Sequence, residues 1–440
     1  MSTYARRSTI GAVLCLSLAL YGNARADGPG ALTVREAVQK VLARNMTLQE
    51  SEDAIAVVKA RVDQLKSGLL PNVRGDASYS RLGPVDELTF PGFGTFQLYS
   101  ANNYDIHAGV RQLLYDGKRT KESIALAESQ VESAADRREL LKRDLAFQTV
   151  QLCDSILFLR ESLRVQSDHV KALSDHLETA RKKVAAGTAT ELEVLNTQVR
   201  VVGAQNQIVD LQNMIEKQTL GLLQLMRIED PAMPELSGEF RYQPVPLDPE
   251  DLVGLGLRQR PETRSIQTFL KSANIEIRLA GLTHLPVVSA NVLFGGKNGY
   301  FPNLDTVKLN FVAALSASVS VFDGYLGRAQ KAQATANLKT IEDRNQALEE
   351  MIRTEVRQAI SDVTASDRKL KAVEVNIEQA KKAMAYAQAR YEAGTITNLD
   401  LLDTEDALAE AEFAKLRALY QFVLSKLTLQ RAVGNPIVGE

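Results

Sequence analysis

The chain has 440 residues, of which 45% are hydrophobic and 24% charged, with a formal net charge of -2. That is enough apolar content for a sizeable core and too balanced a charge for a nucleic-acid binder, and it excludes disordered and collagen-like classes. Its two cysteines, Cys15 and Cys153, cannot build a zinc or iron–sulfur cluster, and the four histidines (107, 169, 176 and 284) are scattered. His169 and His176 read as part of a solvated helix stripe, and neither a metal nor a cofactor is expected.

At the N-terminus, Arg6 and Arg7 precede an apolar run from Ile10 to Leu20 and a small-x-small site at Ala24-Arg25-Ala26. This predicts a secretory signal peptide over 1–26, with Cys15 as filler of its apolar region and not a lipid acceptor. Beyond it, the absence of any run of 18 apolar residues excludes a helical membrane bundle.

The rest is one unit written twice. Residues 32–73 match 247–288 at an offset of 215, as in Leu32/Leu247, Val38/Val253, Leu42/Leu257 and Leu70-Pro71/Leu285-Pro286. From Asp116-Gly117 and Asp323-Gly324 onward the offset is 207, through Ala186-Gly187-Thr188/Ala393-Gly394-Thr395, Leu192/Leu399 and Leu195/Leu402. The first repeat is placed at 27–228, a Pro-rich connector at 229–249 and the second repeat at 250–440.

Each unit reads helix, strand, loop, strand, very long helix, turn, helix. The first helix is predicted over Thr33–Gly68, with Pro71 stopping it. Strands follow at about 73–81 and 103–115, then a corner at Asp116-Gly117, where glycine can take positive φ and aspartate supplies a local hydrogen bond. Coiled-coil helices occupy about 118–226, with a turn at Gly187. The second unit repeats this with strands at about 287–294 and 307–322, a corner at Asp323-Gly324, and helices at about 325–433 that turn at Gly394. The long proline-free helices would each run roughly 100 Å. Val170, Leu173, Leu177, Ala180 and Val184 step by three and four, as do Leu370, Val373, Ile377, Ala380, Met384, Ala387 and Tyr391, which predicts coiled-coil seams.

The strand segments alternate instead. Tyr104, Ile106, Ala108 and Val110 interleave with Asp105, His107, Gly109 and Arg111; Leu309, Phe311, Ala313 and Leu315 interleave with Lys308, Asn310, Ala314 and Ser316. Val73, Ala77 and Tyr79 do the same with Arg74, Asp76, Ser78 and Ser80. One apolar and one polar face over about ten residues is the pattern of a transmembrane barrel strand. Of the 25 aromatic residues, 13 fall within 73–115 and 287–325, as interfacial girdles require. Four strands cannot close a barrel and open edges cannot survive in lipid, so the chain is expected to oligomerise: two copies would give eight strands around a lumen filled by side chains, and three would give twelve, the better choice for conducting solutes.

The duplicated layout, the corners Leu114-Tyr115-Asp116-Gly117 and Val321-Phe322-Asp323-Gly324, and the turn from Ala389 through Tyr391, Gly394 and Asp400 to Asp403 resemble the TolC-like family of outer-membrane efflux channels over nearly the whole mature chain. The resemblance implies a homotrimeric 12-stranded β-barrel in the outer membrane, four strands per chain, continued by a long α-helical periplasmic tunnel. It also implies engagement by a periplasmic adaptor protein and an inner-membrane pump. The small, uncharged tips (Gly187, Thr188, Gly394, Thr395) would then dock the adaptor.

Asp400 and Asp403 share a helix face. Asp400 fits a capping box with Thr397, as Glu193 does with Thr190, whereas Asp403 lies a turn too deep to cap. The resemblance implies that the aspartates ring the pore constriction, which is placed at Asp400, Asp403, Tyr391, Ile396 and Glu193. Where the family has a basic latch this chain has Ile396, so closure must rest on something else. No Ser/His/Asp group, phosphate loop or paired catalytic carboxylate stands out, so no enzyme is expected. The alternative is a periplasmic coiled-coil adaptor or structural rod, although an adaptor would carry one helical hairpin flanked by β segments. The cargo, and the pump family served, are not written in the chain.

Overall fold

The computed structural model describes residues 32–229, 235–238, 241–245 and 247–438. The predicted signal peptide and Pro231, Pro234 and Pro246 of the connector lie outside the described residues.

The chain opens with β1 (Leu32–Thr33), α1 (Val34–Arg44) and α2 (Met46–Ser67). Thr33 starts α1 through a capping box: the Glu36 N–H donates to Thr33 Oγ1 at 3.2 Å and the Thr33 N–H to Glu36 Oε2 at 2.9 Å. The single helix expected over Thr33–Gly68 is thus two helices. Asn45 is extended (φ -67, ψ 128), and its Oδ1 accepts the Thr47 N–H at 3.0 Å, ending one helix and capping the next. The second half breaks at the equivalent place, between α5 (Pro249–Gln259) and α6 (Pro261–Ala280), where Pro261 forces Arg260 out of helical conformation (φ -67, ψ 133).

The strands are β2 (Asn72–Arg81), β5 (Asn102–Tyr115), β7 (Val287–Lys297) and β8 (Lys308–Ser318), antiparallel in the order β2-β5-β7-β8. The segment between β2 and β5, read from sequence as loop, carries its own hairpin of β3 (Glu87–Phe90) and β4 (Gly94–Gln97). Gly92 and Gly94 supply the positive φ its turn needs, and Phe90 and Phe96 pack across it at 6.4 Å between centroids.

Register puts Val73, Ala77 and Tyr79, then Ile106, Ala108 and Val110, then Val292 and Phe294, then Leu309, Phe311 and Leu315 on one continuous face. This face is exposed, with Leu309 at 81% and Phe311 at 74%. The opposite face carries Arg74, Asp76, His107 and Asn310, with His107 Nε2 2.9 Å from Asn310 Oδ1. The alternation predicted from sequence is therefore a physical two-sidedness: apolar side chains point outward with nothing over them.

Two helical hairpins continue from the sheet. The first is α3 (Arg119–Ala185) with α4 (Glu191–Met226), the second α7 (Leu326–Glu392) with α8 (Asn398–Ala432). Leu173, Leu177 and Ala180 are buried in the first seam and Leu370, Ile377, Ala387 and Tyr391 in the second. Ala37 and Val41 of α1 pack on Leu145, Ile156 and Leu222 of the first hairpin, and Leu252 and Val253 of α5 on Ile352, Val356 and Phe422 of the second. The connector is stitched back through β6 (Leu236–Ser237), which pairs in parallel with β1. Cys153 is fully buried and burial pushes its thiol up to about 12, so it is chemically inert. Among the described residues no helix is long and apolar enough to cross a membrane.

Candidate functional site

Two places concentrate the residues singled out from sequence: the sheet-to-helix corners and the far ends of the hairpins. At the corners, Asp116 Oδ2 accepts the Thr120 N–H at 2.6 Å and Asp323 Oδ2 the Gly327 N–H at 2.8 Å, which holds the Asp323 carboxyl below its usual range. Gly117 and Gly324 take φ of +67 and +66. Sequence reading missed that Lys118 and Tyr325, the next residues, are also left-handed, at φ 68 and 69. Two consecutive left-handed residues turn the strand sharply into the helix axis.

At the far ends, Gly187 and Gly394 terminate α3 and α7 with φ of +74 and +70. The Thr188 N–H reaches back to Lys183 O at 2.9 Å, and the Thr395 N–H to Arg390 O at 2.8 Å. Open space surrounds both glycines. Thr190 with Glu193 and Thr397 with Asp400 form the capping boxes that start α4 and α8. The Thr397 hydroxyl donates to Asp400 Oδ2 at 2.7 Å, and this bond leads the lowering of the Asp400 carboxyl.

Tyr391 and Ile396 do not face solvent with Asp400. Tyr391 is buried in the second seam with Ala387, Leu401, Met384 and Ile396, and its hydroxyl has no hydrogen-bond partner. Lys183 Nζ sits 3.7 Å from the ring centroid and the His176 ring 5.3 Å away, so this tyrosine joins the two hairpins. His176 Nε2 also lies 2.6 Å from Asn398 Oδ1. The solvated stripe expected for His169 and His176 is thus corrected: both stand at the junction between hairpins, because α8 packs across that face of α3.

Asp403 is paired. Arg200 of α4 donates from Nη2 to Asp403 Oδ1 at 2.7 Å and from Nη1 to Asp406. Arg200 and Asp406 escaped sequence reading, since nothing local links residues some two hundred positions apart. Beside this pair, Leu402 inserts into the first seam against Leu173, Leu177 and Val201. The structure therefore gathers Glu193, Tyr391, Ile396, Asp400 and Asp403 at one end of the molecule and the corner residues at the other.

The profile of the family described as outer membrane efflux protein matches two segments, 37–226 and 252–435. The chain belongs to the outer membrane efflux protein family. It is 20% identical to the outer membrane efflux protein BepC of Brucella suis over 92% of this chain and 85% of that one. It is 24% identical to the pyoverdine export outer membrane protein OpmQ of Pseudomonas putida over 63% of this chain and 59% of that one. Among solved structures, the outer membrane channel CmeC of Campylobacter jejuni superposes with a TM-score of 0.77 at 17% identity, covering 91% of this chain and 85% of that one. CusC gives 0.77 at 15% identity, covering 95% and 96%. The family is one of outer membrane transport proteins and not of enzymes.

Proposed function

We propose that three copies of this chain close their sheets into one 12-stranded barrel in the outer membrane, and that the helical hairpins continue it as a periplasmic tunnel. The assembly is the exit duct of a tripartite efflux or type I secretion system. The observation that carries this reading is the sheet: an exposed apolar face, a polar opposite face, and two edges, β2 and β8, that are unpaired among the described residues. In lipid those edges must be closed, and only other copies can close them.

The internal duplication supplies the geometry. Val73 faces Val110 in the β2–β5 pair, and their repeat mates Val288 and Ala317 face each other in β7–β8, so the register transfers without slip. Transferring the β5–β7 register in the same way sets β8 of one copy against β2 of the next, with Leu315 opposite Tyr79 and Ala317 opposite Ala77. Every such pair keeps outward residues outward. The helices support the same closure. α6 packs on both α3 and α7, while α2, its mate, packs on α3 and has no comparable contact with α7 among the described residues. Leu402 is fully buried between α3 and α4, whereas its mate Leu195 is 55% exposed; α7 and α8 of a neighbouring copy would cover it.

At the tunnel end, Asp400, Asp403 and Glu193 of three copies ring the opening, while Tyr391 and Ile396 pack behind them and link the hairpins. The open turns at Gly187-Thr188 and Gly394-Thr395 admit the helix tips of a periplasmic adaptor, which couples the duct to an inner-membrane pump. The relatives OpmQ and AprF are named for pyoverdine export and alkaline protease secretion, cargoes too different to share a duct-borne filter, so cargo choice belongs to the pump. Native mass measurement in detergent should give a trimer, and that trimer should conduct in planar bilayers. A stable monomer, or full solubility without detergent, would favour the adaptor or rod reading instead.

A further inference from the structure

The belt where α1 and α5 pack on the long helices repeats its backbone but reverses its charges. In the second half, the end of α8 is held on α3 of the same copy: Arg143 Nη2 donates to Asn435 O at 3.0 Å and Arg431 Nη2 to Asp144 Oδ1 at 2.7 Å. Beside them Leu427 is buried against Val38 and Phe147. The repeat mates of these groups do not meet within one copy. Leu220, the mate of Leu427, is 54% exposed near the end of α4. Glu350, the mate of Arg143, is exposed on α7 and has no ion pair among the described residues.

The end of α4 borders an open cavity of about 520 Å³ lined by Arg44, Gln49, Gln224, Arg227 and Glu229. Both arginines are exposed and neither has an ion pair among the described residues; Arg227 Nη1 donates to Met46 Sδ at 2.7 Å, a weak acceptor. Arg227 is also out of place for its backbone. It is left-handed at φ 52, and its mate is Gly434 at φ +83. Arginine there carries strain that glycine would not, so the guanidinium and not the turn explains the residue.

The reversal of charge is two-sided. Lys142-Arg143 of α3 correspond to Glu349-Glu350 of α7, and Gln259 and Gly434 correspond to Arg44 and Arg227. Glu349 is engaged by Arg353 at 3.1 Å, which leaves Glu350. The contact that α3 makes with the end of α8 inside one copy is made, by the repeat, between α7 and the end of α4 of the next. That transfer sets Glu350 over the Arg227-Ile228 corner, as Arg143 sits over Gly434-Asn435.

We propose that Glu350 of one copy pairs with Arg227 and Arg44 of the next, and that this contact, roughly 35 Å along α7 from the sheet, keys the copies to one another. The occupant of the cavity is a second copy of this chain, entering with an acidic side chain and covering Leu220 in the same contact. Arg143, in the equivalent place on α3, would repel the two arginines, so the end of α4 accepts α7 of the next copy and rejects α3 of another. This rests on the three-copy reading above and gives it a partner-selecting residue pair in the helices.

The test is the share of trimer on native gels as detergent-purified protein is warmed. Arg227→Glu and Glu350→Arg should each raise the monomer share, by about fivefold per seam, and combining them in one chain should restore the trimer. Arg227→Gly relieves the left-handed strain and should still weaken the trimer, which a purely local role would not produce. Co-expressing the two single variants should rescue only in part, because a ring of three always keeps one like-charge seam. Trimers equally stable in all variants, or a combined variant no better than either single one, would overturn the pair and leave the ring standing. A wild-type protein that is monomeric throughout would overturn the three-copy reading, and the pair with it.

Discussion

His176 Nε2 on α3 lies 2.6 Å from Oδ1 of Asn398, the first residue of α8. The same asparagine donates from Nδ2 to Thr197 Oγ1 of α4 at 3.4 Å, so one side chain ties the start of α8 to both members of the other hairpin. Asn398 is buried, and replacing it by leucine takes away the partner of His176 Nε2 and one contact of the Thr197 hydroxyl, which keeps its bond to Glu193 O at 2.8 Å. We expect Asn398→Leu to cost about 1–3 kcal/mol of stability, read as a lowered thermal midpoint in detergent. A variant as stable as wild type would mean that Leu402 and its neighbours hold the junction alone.

The two corner glycines share a conformation but not a neighbourhood. An added Cβ at Gly117 would strike the Leu285 side chain, whereas at Gly324 it would meet nothing within 4 Å. Gly324→Ala should cost only the left-handed strain, roughly 1–2 kcal/mol, and Gly117→Ala clearly more. Equal losses in thermal midpoint would show that the Leu285 contact relaxes freely.

Much of this architecture was legible because it is written in short-range periodicity. The strict alternation of Tyr104 to Arg111 and the three-four steps of Leu370 to Tyr391 need only local sequence. The capping boxes at Thr190 and Thr397 were legible for the same reason. The break at Asn45 was missed although its mate, Arg260, precedes Pro261; a proline in one copy is evidence about the other. The β3–β4 hairpin was hidden by its shortness. The pairing of Arg200 with Asp403 and Asp406 was out of reach, because it depends on which face of α8 meets α4, and no periodicity encodes that.

Burial raises the carboxyls of Asp154 and Glu405 to about 7 each. A raised carboxyl pKa means that the folded chain holds these protons more tightly than the unfolded chain. Stability therefore climbs as pH falls below about 7, and the penalty is complete above it. The lowered His169 works in the opposite sense below about pH 6.5, so the slope is best read between about pH 6.5 and 8. The thermal midpoint should rise on going from pH 8 to 6.5, and Asp154→Asn or Glu405→Gln should each flatten that rise. An unchanged slope in both variants would place these carboxylates in water in the assembled protein.

Because Gly187 and Gly394 have open surroundings, a bulky residue there should fit with only the left-handed strain, roughly 1–2 kcal/mol per site. Gly187→Trp with Gly394→Trp should keep the trimer in the membrane and abolish efflux by blocking close approach of the adaptor tip. Retained efflux would exclude docking at these turns.

The most direct test of the three-copy barrel is disulfide cross-linking between its predicted seam residues. Tyr79→Cys with Leu315→Cys, in a chain whose Cys153 is buried and inert, should give covalent dimers and trimers in outer-membrane preparations. Ser78→Cys with Leu315→Cys, one residue out of register and on the opposite face, should give far less. Cross-links in neither pair, with the protein recovered as a monomer, would contradict the assembly on which the duct depends.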